Sequence, residues 1–158
     1  MSIKTIGFIK SFERLMLFHP KPCNTFIHSL HTSPIRRLIE TENAKEVSHS
    51  AFKKIIQEKN NNFVIDVRKP EELRNKGAIS GSINVPLDEL EDALRNLSVD
   101  EFREKYGINK PSKNHVIIFS CNSGNRSAKA LEMADKLGYK MAKHYPGGWT
   151  EWEKAINE

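Results

Sequence analysis

The sequence predicts an α/β domain with a mainly parallel central sheet and helices on both faces. Short apolar runs such as residues 63–67 and 116–119 have the length and β-branched content of strands buried on both sides. Amphipathic helical patterns alternate with them, and Gly, Pro and Asn punctuate the joins. At 158 residues the chain is long enough for one domain with a real core and too short for two ordinary ones. A mean hydropathy of -0.56 with 28% charged residues fits a soluble globular surface.

Residues 1–40 have a different character. They hold six Lys or Arg side chains against two acidic ones, Glu13 and Glu40, and include Pro20, Pro22 and Pro34. Apolar residues at Ile3, Ile6, Ile9, Phe12, Leu15 and Met16 are interleaved with Lys4, Lys10 and Arg14 at roughly helical spacing. An amphipathic, basic, acid-poor start of this kind predicts a mitochondrial transit peptide, with cleavage between residues 24 and 44. Lys10, Glu13 and Arg14 break the apolar run that a secretory signal needs. A disordered or lipid-touching arm is the other reading.

The leader also explains the charge. The net +5 of the chain leaves only 19 basic and 18 acidic side chains in residues 41–158. A nucleic-acid-binding face would need a basic excess on the folded part, so none is expected. No uninterrupted apolar stretch is long enough to span a membrane. The two cysteines, Cys23 and Cys121, have no metal-ligand spacing, so neither a metal nor a cofactor is implied. With the leader gone, Cys121 is the domain's single thiol, and any sulfur chemistry must end on an external acceptor.

The domain, expected over residues 45–157, follows in order. Ser48 or Ser50 can cap a helix that carries Phe52, Ile55 and Ile56 and ends at the turn Asn60, Asn61, Asn62. Residues 63–67 form the first strand. Pro70 opens a short helix, proline being tolerated in a first turn. Gly77 and Gly81 mark a turn before a short strand at 83–85. Leu87, Leu90, Leu94 and Leu97 share one face of the next helix. Residues 99–106 read as another helix, stopped by Gly107. After the third strand at 116–119, a helix beginning near Ser127 places Ala130, Leu131, Ala134 and Leu137 on one side and stops at Gly138. Residues 141–145 fit a last edge strand. Pro146, Gly147 and Gly148 then turn the chain into a closing helix with Trp149 and Trp152.

Chemistry concentrates in the loop Cys121, Asn122, Ser123, Gly124, Asn125, Arg126. It joins a strand to a helix N-terminus, where unpaired N–H groups and the helix dipole attract anions. In open α/β sheets ligands bind beyond the carboxyl ends of strands, and Cys121 is expected there. A helix N-terminus beside a guanidinium favours thiolate over thiol, so Cys121 is the candidate nucleophile. Gly124 lets the backbone curl into an N–H nest, and Arg126 offers a planar fork to an oxyanion. Ser127 is expected to cap the following helix. A lone cysteine after a strand is more often an inert buried hydrophobe, and the surrounding loop is what shifts the balance here.

Cys121-Asn122-Ser123-Gly124-Asn125-Arg126-Ser127 resembles the active-site loop of single-domain rhodaneses, the thiosulfate sulfurtransferases, with the pattern C-x-x-G-x-R-S. Three other stretches resemble that family in the right order. Residues 63–68 with Pro70, Glu71 and Glu72 are similar to its D-V-R-x-P-x-E segment, residues 77–87 to its glycine turn leading to I-N-V-P-L, and Tyr145 to Trp149 to its closing G-G motif. Residues 102–111 look most like the mitochondrial subgroup. One departure is Gly77-Ala78-Ile79-Ser80-Gly81, where the family's usual turn has a histidine and a proline.

The resemblance implies a rhodanese fold and a double displacement. Cys121 would take a sulfane sulfur from thiosulfate or a low-molecular-weight persulfide and pass it to cyanide, glutathione or a protein thiol. Arg126 would bind the donor, and Asn122, Ser123, Gly124 and Asn125 would shape the cradle. Asp66 and Arg68 would support the early turn, with an ion pair to Glu71 or Glu72 expected. His115 and His144 flank strands without a visible partner. The rival enzyme is a cysteine-loop phosphatase or arsenate reductase, but those resemble C-x5-R, and the C-x4-R of this chain makes a narrower cradle suited to one sulfur atom. A non-catalytic rhodanese-fold binding module is the other alternative, against which the retained cysteine speaks.

Overall fold

The computed structural model describes residues 45–58 and 62–158. The expected leader (1–40), Cys23 and most of the Asn60–Asn62 turn lie outside the described residues. The described elements run α1 (His49–Glu58), β1 (Phe63–Asp66), α2 (Pro70–Lys76), β2 (Ile83–Asn84), α3 (Leu87–Arg95), α4 (Val99–Tyr106), β3 (Ile117–Ser120), α5 (Asn125–Lys136), β4 (Ala142–His144) and α6 (Gly148–Ile156).

The four strands form one all-parallel sheet in the order β2-β1-β3-β4. Parallel neighbours need a crossover, and every crossover here is helical. β1 pairs with β3 along its full length, from Phe63 opposite Ile117 to Asp66 opposite Ser120. Beyond β4, the segment ahead of α1 adds a single parallel bridge, Glu46 to His144. It is fixed by Val47 N–H to the His144 carbonyl and His144 N–H to the Lys45 carbonyl, both 2.9 Å.

Alternation along the strands sends side chains to two faces, and each face has its own core. Ile65, Ile117, Phe119 and Ala142 pack with Leu90 and Leu94 of α3, Phe102 of α4 and Ala130 and Ala134 of α5. Val64 and Ile118 pack on the other side with Phe52 and Ile55 of α1 and with Ile79, Tyr145 and Trp149. Both faces are therefore covered, as the double-sided apolar strands require. Phe52 stacks on Tyr145 with ring centroids 4.3 Å apart and meets Trp152 edge-on at 5.5 Å.

Local signals hold in most places. Ser48 caps α1, accepting from Ala51 N–H, so the cap is Ser48 and not Ser50. Ser98 and Glu101 close a reciprocal capping box on α4, and Gly107 ends that helix with φ +78°. The expected start of the helix after β3 is corrected. Gly124 adopts a left-handed φ of +87° and acts as the cap, so Asn125 is already helical. Ser127 is the third residue of the helix, within its first turn, and is not its cap. Its buried hydroxyl donates back to the Gly124 carbonyl at 2.8 Å.

The chain leaves β1 towards β2 on one side, while β3 leads to β4 on the other. The topological switch point lies between the carboxyl ends of β1 and β3. Arg68 follows the first of these ends and Cys121 the second.

Candidate active site

Cys121 sits directly beyond β3 and is 1% exposed. Its sulfur accepts the Gly124 N–H at 3.1 Å and lies 3.7 Å from the Ser127 hydroxyl oxygen. The loop around it is stapled by the start of α6. Trp149 N–H donates to the Cys121 carbonyl at 2.7 Å, and the Thr150 N–H and hydroxyl both donate to the Asn122 carbonyl, at 3.1 and 2.9 Å.

That staple demands glycine. A Cβ on Gly148 would come within 2.5 Å of the Cys121 carbonyl oxygen, and one on Gly124 within 2.3 Å of the Pro146 carbonyl oxygen. The closing Pro146-Gly147-Gly148 turn and the cysteine loop thus fit only because both lack side chains at the contact. Ser123 and Asn125 are exposed at the rim, Asn122 is half-buried, and the Lys76 ammonium lies 3.4 Å from the Asn122 side-chain oxygen.

The Arg126 fork does not face an empty site. Both of its terminal nitrogens donate to the Glu72 carboxylate, at 2.5 and 2.7 Å. Glu72 also accepts the Lys69 N–H at 3.0 Å. The guanidinium on it holds the Glu72 carboxyl well below its usual range, at about 2, and the carboxylate in turn raises Arg126. Any anionic donor reaching Arg126 must share it with Glu72.

The expected ion pair from Arg68 to Glu71 or Glu72 is overturned. Arg68 turns back on Asp66, with Nε at 3.0–3.1 Å from both carboxylate oxygens and Nη2 at 2.8 Å from one of them. Both side chains are fully buried. Asp66 also accepts the Arg68 N–H, and Arg68 Nη2 reaches the Gly77 carbonyl at 2.9 Å. The two-residue spacing lets the side chain fold over its own turn, while Glu71 is taken by Arg74 in the exposed first turns of α2. The Arg68 guanidinium lies 5.0 Å from the centre of the Trp149 ring, a cation–π contact that ties the β1 turn to α6. Trp149 is a core residue here, 5% exposed.

His144 has partners the sequence did not show. It is buried, with Nδ1 3.2 Å from the Ser127 hydroxyl oxygen and Nε2 3.7 Å from Glu46. Burial lowers its pKa, and the Glu46 carboxylate opposes that in part. Among the described residues no cluster of His, Cys, Asp or Glu could hold a metal ion.

The loop and its supports match a known domain. The Rhodanese-like domain family matches residues 48–155. The chain belongs to the rhodanese family. A mouse thiosulfate sulfurtransferase/rhodanese-like domain-containing protein 3 is 46% identical over 108 residues, covering 68% of each chain. A human thiosulfate:glutathione sulfurtransferase is 37% identical over 90 residues, 56% of this chain and 76% of that one. Among solved structures, the human single-domain sulfurtransferase TSTD1 superposes with a TM-score of 0.65 at 32% identity, covering 71% of this chain and 97% of its own.

In this rhodanese domain, the sequence-predicted residues Cys121, Asn122, Gly124, Arg126 and Ser127 converge on one loop, while Asp66 and Arg68 brace it from β1. Glu72, Lys76 and His144 complete the surroundings: the sequence reading gives Glu72 to Arg68, leaves His144 without a partner and does not single out Lys76. The Glu72–Arg126 pair is open to topology alone: α2 and α5 both begin at the carboxyl ends of adjacent strands, so their first turns face one crevice.

Proposed function

We propose that this rhodanese is a thiosulfate sulfurtransferase working through a Cys121 persulfide. The observation that carries the reading is Cys121, the one cysteine among the described residues, held at the base of a C-x4-R loop with a backbone N–H on its sulfur. The Cys121 thiolate attacks the outer sulfur of thiosulfate, or of a low-molecular-weight persulfide. The donor S–S bond breaks, and sulfite or thiol leaves with the electron pair. An acceptor thiolate or cyanide then attacks the outer sulfur of the persulfide and releases Cys121 as thiolate. Arg126 meets the donor anion, and Asn122, Ser123, Gly124 and Asn125 form the walls. Asp66, Arg68 and Ser127 hold the loop in place.

Relatives named thiosulfate:glutathione sulfurtransferase, in human and in Saccharomyces cerevisiae, support glutathione as an acceptor. We place residues 1–40 as a leader ahead of a domain over 45–157, and the protein in mitochondria, its matrix included. Relatives named as mitochondrial in Schizosaccharomyces pombe and S. cerevisiae support that location. Among the described residues no helix is long and apolar enough to cross a membrane.

Covalent catalysis through one thiol gives ping-pong kinetics. Initial rates measured over a grid of thiosulfate and glutathione concentrations should give parallel double-reciprocal lines. Intersecting lines would exclude a free persulfide intermediate. Hydrolysis of an aryl phosphate without sulfur transfer would assign the loop to the phosphatase class instead.

A further inference from the structure

We propose that His144 is a positioning residue for Cys121, and that Ser127, His144 and Glu46 form a proton path from the buried thiol to solvent. The inference rests on Cys121 being the nucleophile and adds a route for its proton. Cys121 is 1% exposed and Ser127 is fully buried, so bulk water does not reach either side chain freely. The atoms line up in series: Cys121 Sγ to Ser127 Oγ at 3.7 Å, Ser127 Oγ to His144 Nδ1 at 3.2 Å, and His144 Nε2 to Glu46 Oε1 at 3.7 Å. The Glu46 side chain is 72% exposed, so the series starts at the reacting atom and ends in water.

The backbone fixes every member. Ser127 sits on the inner face of α5, and His144 is in register with Phe119 of β3 on that same side of the sheet. Glu46 is held against β4 by the bonds on either side of it. The carboxylate favours the tautomer with the proton on Nε2, which leaves the Nδ1 lone pair towards Ser127. The Ser127 hydroxyl donates to the Gly124 carbonyl, and a rotation of the O–H aims it at Nδ1 instead.

The proton balance is then complete. The Cys121 proton passes to Ser127 Oγ as the serine proton passes to Nδ1, giving thiolate, intact serine and imidazolium beside Glu46. Burial makes imidazolium the disfavoured form, so the extra proton leaves by way of Glu46. Glu46 is the charge that acts on His144, and Lys45, whose carbonyl accepts the His144 N–H, and Lys143, next to it on β4, are further charged residues of these two segments. In the reverse direction the same path reprotonates Cys121 after sulfur has left.

The test reads the departure of the proton, with no donor present. Ultraviolet absorbance of the thiolate is followed in time after a pH jump in the full chain, as a difference from Cys121→Ser, for wild type, Glu46→Gln, Ser127→Ala and His144→Asn. Asparagine keeps a hydrogen bond to Ser127 but cannot take the proton. A relay sets the rate of deprotonation, so His144→Asn and Ser127→Ala are expected to slow the appearance of thiolate by about 100-fold. Glu46→Gln, on an exposed side chain, is expected to slow it less. Superimposable time courses in wild type, His144→Asn and Ser127→Ala, with circular dichroism unchanged, would overturn the proposal. Slowed time courses in a protein that transfers no sulfur would uphold the path and sink the sulfurtransferase reading instead.

Discussion

Replacing Glu72 by glutamine keeps the shape of the side chain and removes the negative charge that lies on Arg126. The size of the effect follows from the pair. The Glu72 carboxyl is lowered from 4.5 to about 2, chiefly by its hydrogen bonds from Arg126. At about 1.4 kcal/mol per tenfold in proton affinity, the pair is worth about 3 kcal/mol at most. Its side chains are 34% and 30% exposed, and solvent screening brings this to about 1–2 kcal/mol. Thiosulfate competes with Glu72 for the same guanidinium, so the variant should bind it about 5–30-fold more tightly, with a lower KM and a kcat changed little. A persulfide donor with less charge should gain less. Steady-state kinetics with both donors measures this. A thiosulfate KM that stays put or rises in a folded variant would refute competition at Arg126.

The same pair gives a pH prediction. Its folded pKa lies below the unfolded one, so its stabilisation is complete above about 4.5 and is lost as pH falls through about 2. Urea unfolding should therefore find Glu72→Gln destabilised at neutral pH and level with wild type near pH 2.

Other substitutions test the loop and its brace. Gly124→Ala forces a side chain into a left-handed residue 2.3 Å from the Pro146 carbonyl oxygen. The conformation alone costs about 1–2 kcal/mol. Sulfur transfer should be lost while far-ultraviolet circular dichroism stays native, and wild-type turnover would contradict the loop geometry. Arg68→Met leaves Asp66 buried without its partner and should destabilise by about 3–5 kcal/mol in urea unfolding, whereas Asp66→Leu combined with Arg68→Met should recover most of that loss. A double variant no better than the single one would deny that the unpaired charge is the cause.

What the sequence made legible depended on the range of the interaction. Apolar runs such as 63–67 and 116–119 announced strands buried on both faces, and the strand–loop–helix around Cys121 announced the site, because each signal lies within a few neighbouring residues. The Glu72–Arg126 pair joins residues 54 apart, and only the adjacency of β1 and β3 brings them together. Arg68 has carboxylates two, three and four residues away, at Asp66, Glu71 and Glu72, which sequence distance alone does not separate; in the structure Arg68 pairs with Asp66, and both side chains are buried.

Ser127 was placed at a cap because its hydroxyl suits one. The left-handed Gly124 starts the helix two residues earlier and turns that hydroxyl inward. His144 lies in a three-residue strand, Ala-Lys-His, with no apolar alternation to reveal its facing side, and its partner Glu46 comes from a bridge nearly a hundred residues away in sequence.

The central claim is that a sulfur atom resides on Cys121 between donor and acceptor. Intact-mass spectrometry after incubation with thiosulfate and removal of excess donor tests it most directly, with Cys121→Ser beside the wild type. Wild type should gain the mass of one sulfur atom, lose it on addition of glutathione, and the serine variant should gain nothing. Equal uptake by both proteins, or none by the wild type, would contradict the account.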